Sequence, residues 1–356
     1  MNASVDNAYG NVACSFACMQ LRTLAMTFAG AAADRLISRS VLPHAIHAQR
    51  RVYASAVAGR VSYYEDDAAG GPPVVLLHSI GPAGAAYEVR GLFDGLRHER
   101  AVIAPDLPGY GFSDRSARPL DREGYIAALE ELLEDIARRY GHSIDLVAIG
   151  RTGAIAAAIV ARVPRLFRSL VVIAPEGFAP PTVIDRTVAT VADRASHAPV
   201  ARAALHRIVT ARPVLRRMLG ARVRTRADEG LVRYANAAAH QDRANVAPIA
   251  ALTELSRHDY LALFEAVRVP LCFVLGDGDT REGDAIGSRF PRRVVRSTRS
   301  LPHIERALMT SETLRAFYKT LTPKPQLRVI RGDRSAFRAR APVLRLRTRR
   351  TGEVKR

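Results

Sequence analysis

Residues 144–153 read Ile-Asp-Leu-Val-Ala-Ile-Gly-Arg-Thr-Gly. The run from Ile144 to Ile149 has the length and composition of a strand buried on both faces. Gly150-Arg151-Thr152-Gly153 makes a sharp turn, and the small residues from Thr152 to Ala161 suit a helix lying close on a sheet. Two earlier apolar runs end in turns of their own. Val74–Leu77 runs into His78-Ser79, and Ala101–Ala104 leads into Asp106-Leu107-Pro108-Gly109-Tyr110-Gly111-Phe112-Ser113. Ahead of Ile144, the stretch Tyr125–Arg139 places Ile126, Leu129, Leu132, Leu133 and Ile136 on one helical stripe. Leu170–Ala174 reads as the next strand. Strands alternating with helices predict an α/β protein with a parallel sheet covered on both faces.

Outside this centre the pattern changes twice. Arg50–Tyr64 alternates apolar and polar residues across Ala58-Gly59, a hairpin signal. From Pro180 to about Arg257 the chain is helical in pattern, rich in Ala and Arg, and without strand-like runs. The alternation resumes with Tyr260–Ala266, the strand Leu271–Leu275, the pair Val294-Val295 and a last helix from about Ile304 to Tyr318. A helical insertion between the sixth and seventh strands would cap the carboxyl ends of the strands, where open α/β sheets bind ligands. The expected organisation is an accessory helical segment (1–48), a core (49–179 and 258–322), a helical cap (180–257) and a basic tail (323–356).

These motifs resemble the α/β-hydrolase superfamily, in particular its capped esterases, dehalogenases and carbon–carbon bond hydrolases, over about Arg50–Thr320. The segment Asp106–Ser113 is similar to the family's D-x-x-G-x-G-x-S turn, which is structural. His78-Ser79 stands where the family has His-Gly, which implies an oxyanion donor at the N–H of Ser79 or Ile80. The nucleophile elbow, G-x-S-x-G in the family, fits in two registers. In one, Thr152 is the nucleophile, flanked by Gly150, Arg151, Gly153 and Ala154. In the other, Gly150 takes the place of the serine. The strand Leu146–Ile149 and the distance to Val163-Pro164 favour the second. Leu275-Gly276-Asp277-Gly278-Asp279 is similar to the family's G-x-x-D, which implies that Asp279 orients a histidine; an Asp in a Gly-rich turn is the alternative. Leu301-Pro302-His303-Ile304-Glu305 matches the end of G-H-x-P-H-x-E, so Ser300 stands at the catalytic histidine's position and His303 at the second histidine.

Two functions follow from the resemblance. One is a hydrolase of a small ester-like, apolar or anionic substrate. It would use Thr152, His303 and Asp279, with the N–H groups of Ile80 and Gly153 as oxyanion donors. The other is a fold-retaining protein without a working triad that binds a small anionic ligand or a partner. There Arg151, at a helix N-terminus, would meet the anion, supported by the basic stretch Arg212–Arg226. Neither needs a metal or an organic cofactor.

Bulk composition narrows the alternatives. The 356 residues carry a formal charge of +19, almost all of it from Arg, since the lysines are Lys319, Lys324 and Lys355. Arg328–Arg356 holds only Asp333 and Glu353 as acids, a tail whose charge suits weak contact with an anionic membrane surface. No nucleic-acid-binding motif accompanies it. Cys14, Cys18 and Cys272 do not make a disulfide framework. The apolar segment Val12–Ala33 is interrupted by Gln20 and Arg22, and no basic region precedes it, so a cytoplasmic protein is expected.

Overall fold

The strands β1 (Gln49–Ser55), β2 (Gly59–Asp66), β3 (Val74–Leu77), β4 (Val102–Pro105), β5 (Ile144–Ile149), β6 (Phe167–Ile173), β7 (Leu271–Gly276) and β8 (Arg292–Val295) form one sheet. Their order is β1-β2-β4-β3-β5-β6-β7-β8. The computed structural model describes residues 42–116, 118–253 and 260–321. β1 and β2 are an antiparallel hairpin, β2 meets β4 antiparallel, and every later pair is parallel. This is the α/β-hydrolase fold that the motifs implied. β3, β4 and β5 are buried along their whole length, as the unbroken apolar runs required.

Helices cover both faces. On one side lie α2 (Arg122–Tyr140) and α3 (Thr152–Arg162). The expected stripe of α2 is buried. Asp121 caps its first turn by accepting from the Gly124 N–H at 2.8 Å, and Gly141 ends it at φ +65°. α3 lies tight against β6: a Cβ on Gly153 would fall 2.6 Å from Val172 Cγ1. The other face carries α1 (Arg90–Leu96) and α12 (Ala307–Tyr318). α12 is separated from the short α11 (Pro302–Glu305) at Arg306, whose non-helical φ of −139° and ψ of 58° break what the sequence pattern suggested was one helix.

Between β6 and β7 lie α4 (Val183–Ser196), α5 (Pro199–Val209), α6 (Arg212–Gly220), α7 (Glu229–Ala239) and α8 (Val246–Thr253). A short α9 (Leu261–Glu265) leads to β7, and α10 (Thr280–Ile286) follows it. The insertion is fastened to the core by Arg90–Asp228 at 2.5 Å and by Tyr87 stacked on Tyr234 at 4.8 Å. Two expectations need correction or restriction. Residues 42–48 are an irregular approach, not helix: Leu42, Ala45 and Ile46 are buried and the Tyr64 hydroxyl accepts from the Ala45 N–H at 2.8 Å. The rest of the N-terminal segment, with Cys14 and Cys18, and the tail from 322 onward lie outside the described residues. Among the described residues no helix is long and apolar enough to cross a membrane.

The turns at the strand ends are held by buried polar groups. Asp106, fully buried, accepts from the Ala86 and Phe112 N–H groups at 3.0 Å each. Gly111 is obligatory beside it: at φ +48°, any Cβ would lie 2.0 Å from the Asp106 carboxyl carbon. Within β5, buried Asp145 binds Arg100 at 2.7 Å, the Arg168 guanidinium at 2.9 Å and the Ser169 hydroxyl at 2.6 Å. Removing this carboxylate would strand two guanidiniums. Asp145→Ala is therefore expected to lower the unfolding free energy by about 3–5 kcal/mol in urea titrations; a loss below about 1 kcal/mol would show that the pairs are not coupled to folding.

Candidate functional site

The turns after β3, β5, β6, β7 and β8 converge at the carboxyl ends of the strands. Gly150 stands at the apex of the β5–α3 turn at φ +59°, and its N–H donates to the Ile173 carbonyl at 2.9 Å. A Cβ there would sit 3.5 Å from Glu176 Oε1 and 3.7 Å from Ser79 Cβ, which is ordinary van der Waals contact. The apex thus has room for a side chain and carries none. Thr152 is two residues on, in the first turn of α3, and fully buried. Its hydroxyl donates to the His78 carbonyl at 2.8 Å, tying the elbow to the loop after β3.

The other sequence-derived positions fall as follows. His78 is fully buried: Nε2 accepts from the Leu107 N–H at 2.9 Å, and Nδ1 lies 2.8 Å from the Ser79 carbonyl. Burial pushes its pKa down despite nearby Asp106, so a neutral ring with the proton on Nδ1 satisfies both bonds. Of the candidate oxyanion donors Ser79, Ile80 and Gly153, two have N–H groups that are already engaged. The Ser79 N–H donates to Glu88 Oε2 at 2.7 Å, and the Gly153 N–H donates to the Gly150 carbonyl at 3.1 Å. Ile80 lies on the wall of a hollow described below.

His303, at 1 % exposure, faces Glu88: Nε2 lies 3.4 Å from Glu88 Oε1, and Nδ1 has no hydrogen-bond partner among the described residues. Burial alone would raise the Glu88 carboxyl. Its bonds with His303 and Ser79 outweigh that, and its pKa lies below the usual value. Sequence reasoning missed Glu88, which has no motif of its own; it follows the expected oxyanion loop in a 3-10 turn, Ala86–Val89.

Glu176 was missed as well. It follows Ala174, a non-glycine residue at φ +52° after β6. Its carboxylate is held between two guanidiniums: Arg151 Nε at 3.4 Å from Oε2, and Arg222 from the insertion on Oε1. Arg151 thus already has an acidic partner. The basic stretch 212–226 is likewise engaged. Arg216 pairs with Glu229 at 2.5 Å, Arg212 donates to Asn236 at 3.2 Å, and Arg224 reaches Asp277 at 3.3 Å. The sequence had suggested a free basic surface there.

Asp279 and Ser300 lie on two loops pinned together. Asp277 accepts from the Ser297 and Thr298 N–H groups at 3.1 and 3.0 Å, and the Ser300 N–H donates to the Arg222 carbonyl at 2.9 Å. Asp279 stands at the start of α10, and its carboxyl is pushed up to about 6, first by burial, then by Glu282, with Arg222 opposing. Glu282 accepts from the Phe178 and Ala179 N–H groups at 3.0 and 3.1 Å. Among the described residues no group of three or more His, Cys, Asp or Glu is arranged to hold a metal ion. Cys272 is a buried free thiol, its pKa raised to about 11 by burial.

Beside the elbow, between core and insertion, is a hollow of about 240 Å³ lined by Ile80, Leu120, Tyr125, Arg151, Ile155, Ala247, Ala251 and Tyr260, among others. Its wall is mainly apolar, as small-molecule sites are.

The model of the "Alpha/beta hydrolase family" matches residues 74–318. A 2-hydroxy-6-oxo-2,4-heptadienoate hydrolase of Pseudomonas putida (strain F1) is 32 % identical over 123 residues, which are 34 % of this chain and 44 % of that one. The chain thus spans under half the length of that curated relative. Among solved structures, a thermophilic esterase from Thermogutta terrifontis superposes with a TM-score of 0.59 at 18 % identity, covering 76 % of this chain and 98 % of the other. A haloalkane dehalogenase from Agrobacterium tumefaciens C58 gives 0.61 at 15 %, covering 78 % and 99 %.

The raised Asp279 pKa has a consequence for stability. Its carboxyl ionises less readily in the fold than in the unfolded chain, so protonation favours folding. That contribution is full below the ordinary value of 3.8 and is lost as pH rises through about 6. Asp279→Asn is expected to melt higher than the parent at about pH 7.5, by on the order of 1–2 kcal/mol, with the gap closing between about pH 6 and 4. A gap that does not change with pH would contradict the burial of this carboxyl.

Proposed function

This chain belongs to the alpha/beta hydrolase family, and on that premise we propose that it binds a small, mainly apolar ligand beneath the helical insertion without forming an acyl-enzyme. The observation that carries this reading is the elbow: Gly150 at φ +59° takes the position of an attacking side chain, and Thr152 gives its hydroxyl to the His78 carbonyl. An attacking oxygen needs a base within hydrogen-bond reach. Here the histidine candidate is turned to Glu88, and Ser300 replaces the histidine that Asp279 would orient. The insertion serves as a cap, and the hollow under it is the ligand site. The protein works in the cytoplasm, and its basic tail is left for weak contacts with anionic surfaces.

A second reading keeps turnover, and one observation favours it. Glu176 Oε1 lies 3.5 Å from where a Gly150 side chain would begin. A carboxylate there directs a water at a bound ester, taking its proton as the carbonyl is attacked and passing it to the leaving alcohol. Both oxygens of Glu176 are already engaged by guanidiniums, Arg151 on one and Arg222 on the other, which is why binding is preferred.

The two readings separate in one experiment. A fluorophosphonate probe is expected to leave the protein unlabelled, and p-nitrophenyl ester hydrolysis is expected to stay within about twofold of background in the parent and in Thr152→Ala. A base contributes roughly 10²–10⁴-fold, so labelling at Thr152, or esterase activity lost on its replacement, would overturn the binding reading. Activity lost only in Glu176→Gln would instead establish the second reading.

A further inference from the structure

Several arginines around the core are ion-paired: Arg60 with Asp114, Arg97 with Asp66, Arg139 with Glu65, Arg151 and Arg222 with Glu176. Arg118 and Arg243 are not among them. Among the described residues, neither Arg118, in the loop before α2, nor Arg243, in the loop between α7 and α8, has a carboxylate within 4.0 Å. Both are exposed, and both line a second hollow of about 480 Å³ between core and insertion. Arg115 lines it too. One nitrogen of its guanidinium donates to the Gly111 carbonyl, while Nε is buried without a partner.

The acids nearby are mostly engaged. Asp114 accepts from the Arg60 backbone and guanidinium at 2.9–3.1 Å, and Asp121 caps α2. Exposed Asp242 acts on Arg115 from the insertion side, and Asp106 acts on it from the core. Arg243 is also held at φ +56°, a left-handed conformation uncommon for a residue with a side chain. The basic hollow and the apolar one beside the elbow share Pro119, Leu120, Tyr125 and Ala247 as a common wall. The two hollows therefore form one cleft with an apolar half of about 240 Å³ and a half rimmed by arginines.

We infer that this cleft takes a medium-chain aliphatic carboxylate, its chain under α8 against Ile155 and Ala251 and its head group at Arg118 and Arg243. This assignment rests on the binding reading above and moves the anionic end away from Arg151, whose guanidinium already meets Glu176. A chain burying apolar surface gains about 25 cal/mol per Å², and a charge-assisted bond to a guanidinium adds to that where the rim excludes water.

Calorimetry with octanoate, octanol and acetate at low ionic strength tests it on the full chain. Octanoate is expected to bind about tenfold or more tighter than octanol, with acetate undetected. The double variant Arg118→Ala/Arg243→Ala is expected to remove that advantage and leave octanol binding unchanged. Ala251→Phe, which fills the apolar half, is expected to weaken both by about tenfold. Arg243→Gly, which relieves the left-handed backbone, should melt no lower than the parent and show the same direction of change, so misfolding cannot mimic the result. Equal affinities for octanoate and octanol, or a double variant that keeps the preference, would overturn the carboxylate assignment while leaving an apolar ligand site. No binding of either, or binding of both untouched by Ala251→Phe, would overturn the ligand reading itself.

Discussion

A single hydrogen bond fixes how the centre of this molecule can work. Thr152 donates its hydroxyl to the His78 carbonyl, and so joins the elbow after β5 to the loop after β3. The bond is buried, where an unmade partner costs about 1–3 kcal/mol. It commits the Thr152 hydroxyl to the backbone of the neighbouring loop. Gly150 stands at the apex of the elbow at φ +59°.

Two carboxylates complete the rearrangement. Glu88 takes the Ser79 N–H with one oxygen and faces His303 with the other. It thereby links the loop after β3 to α11 and draws in both a backbone donor and an imidazole. Glu176 lies across the apex between a core and an insertion guanidinium. These pairs make the sheet ends and the insertion one electrostatic unit. Beside them lies the apolar hollow of about 240 Å³. The family supplies the architecture; the site residues decide its use.

Much of the fold was legible in the sequence, because it was written in local pattern. The limits of β3 and β5 followed from unbroken apolar runs, and the buried stripe of α2 from its period. The insertion between β6 and β7 was visible as a loss of alternation. What was not legible depended on contacts between distant segments. Residues 42–48 gave no sign that Tyr64 would hold them as irregular chain. Arg306 gave no sign that it would break a helix. Glu88 and Glu176 looked like ordinary acids, since their partners lie 9 to 215 positions away for Glu88 and 46 away for the Arg222 bond to Glu176. The same blindness made the 212–226 arginines look like a free basic face. Sequence displays the charges and conceals their pairing.

The most direct measurement is denaturing mass spectrometry after the protein has been held with an activated aryl ester. An elbow with a glycine at its apex and the Thr152 hydroxyl already donated to the His78 carbonyl gives an unchanged intact mass. A gain of one acyl group, mapped to the peptide containing Thr152, would contradict the account.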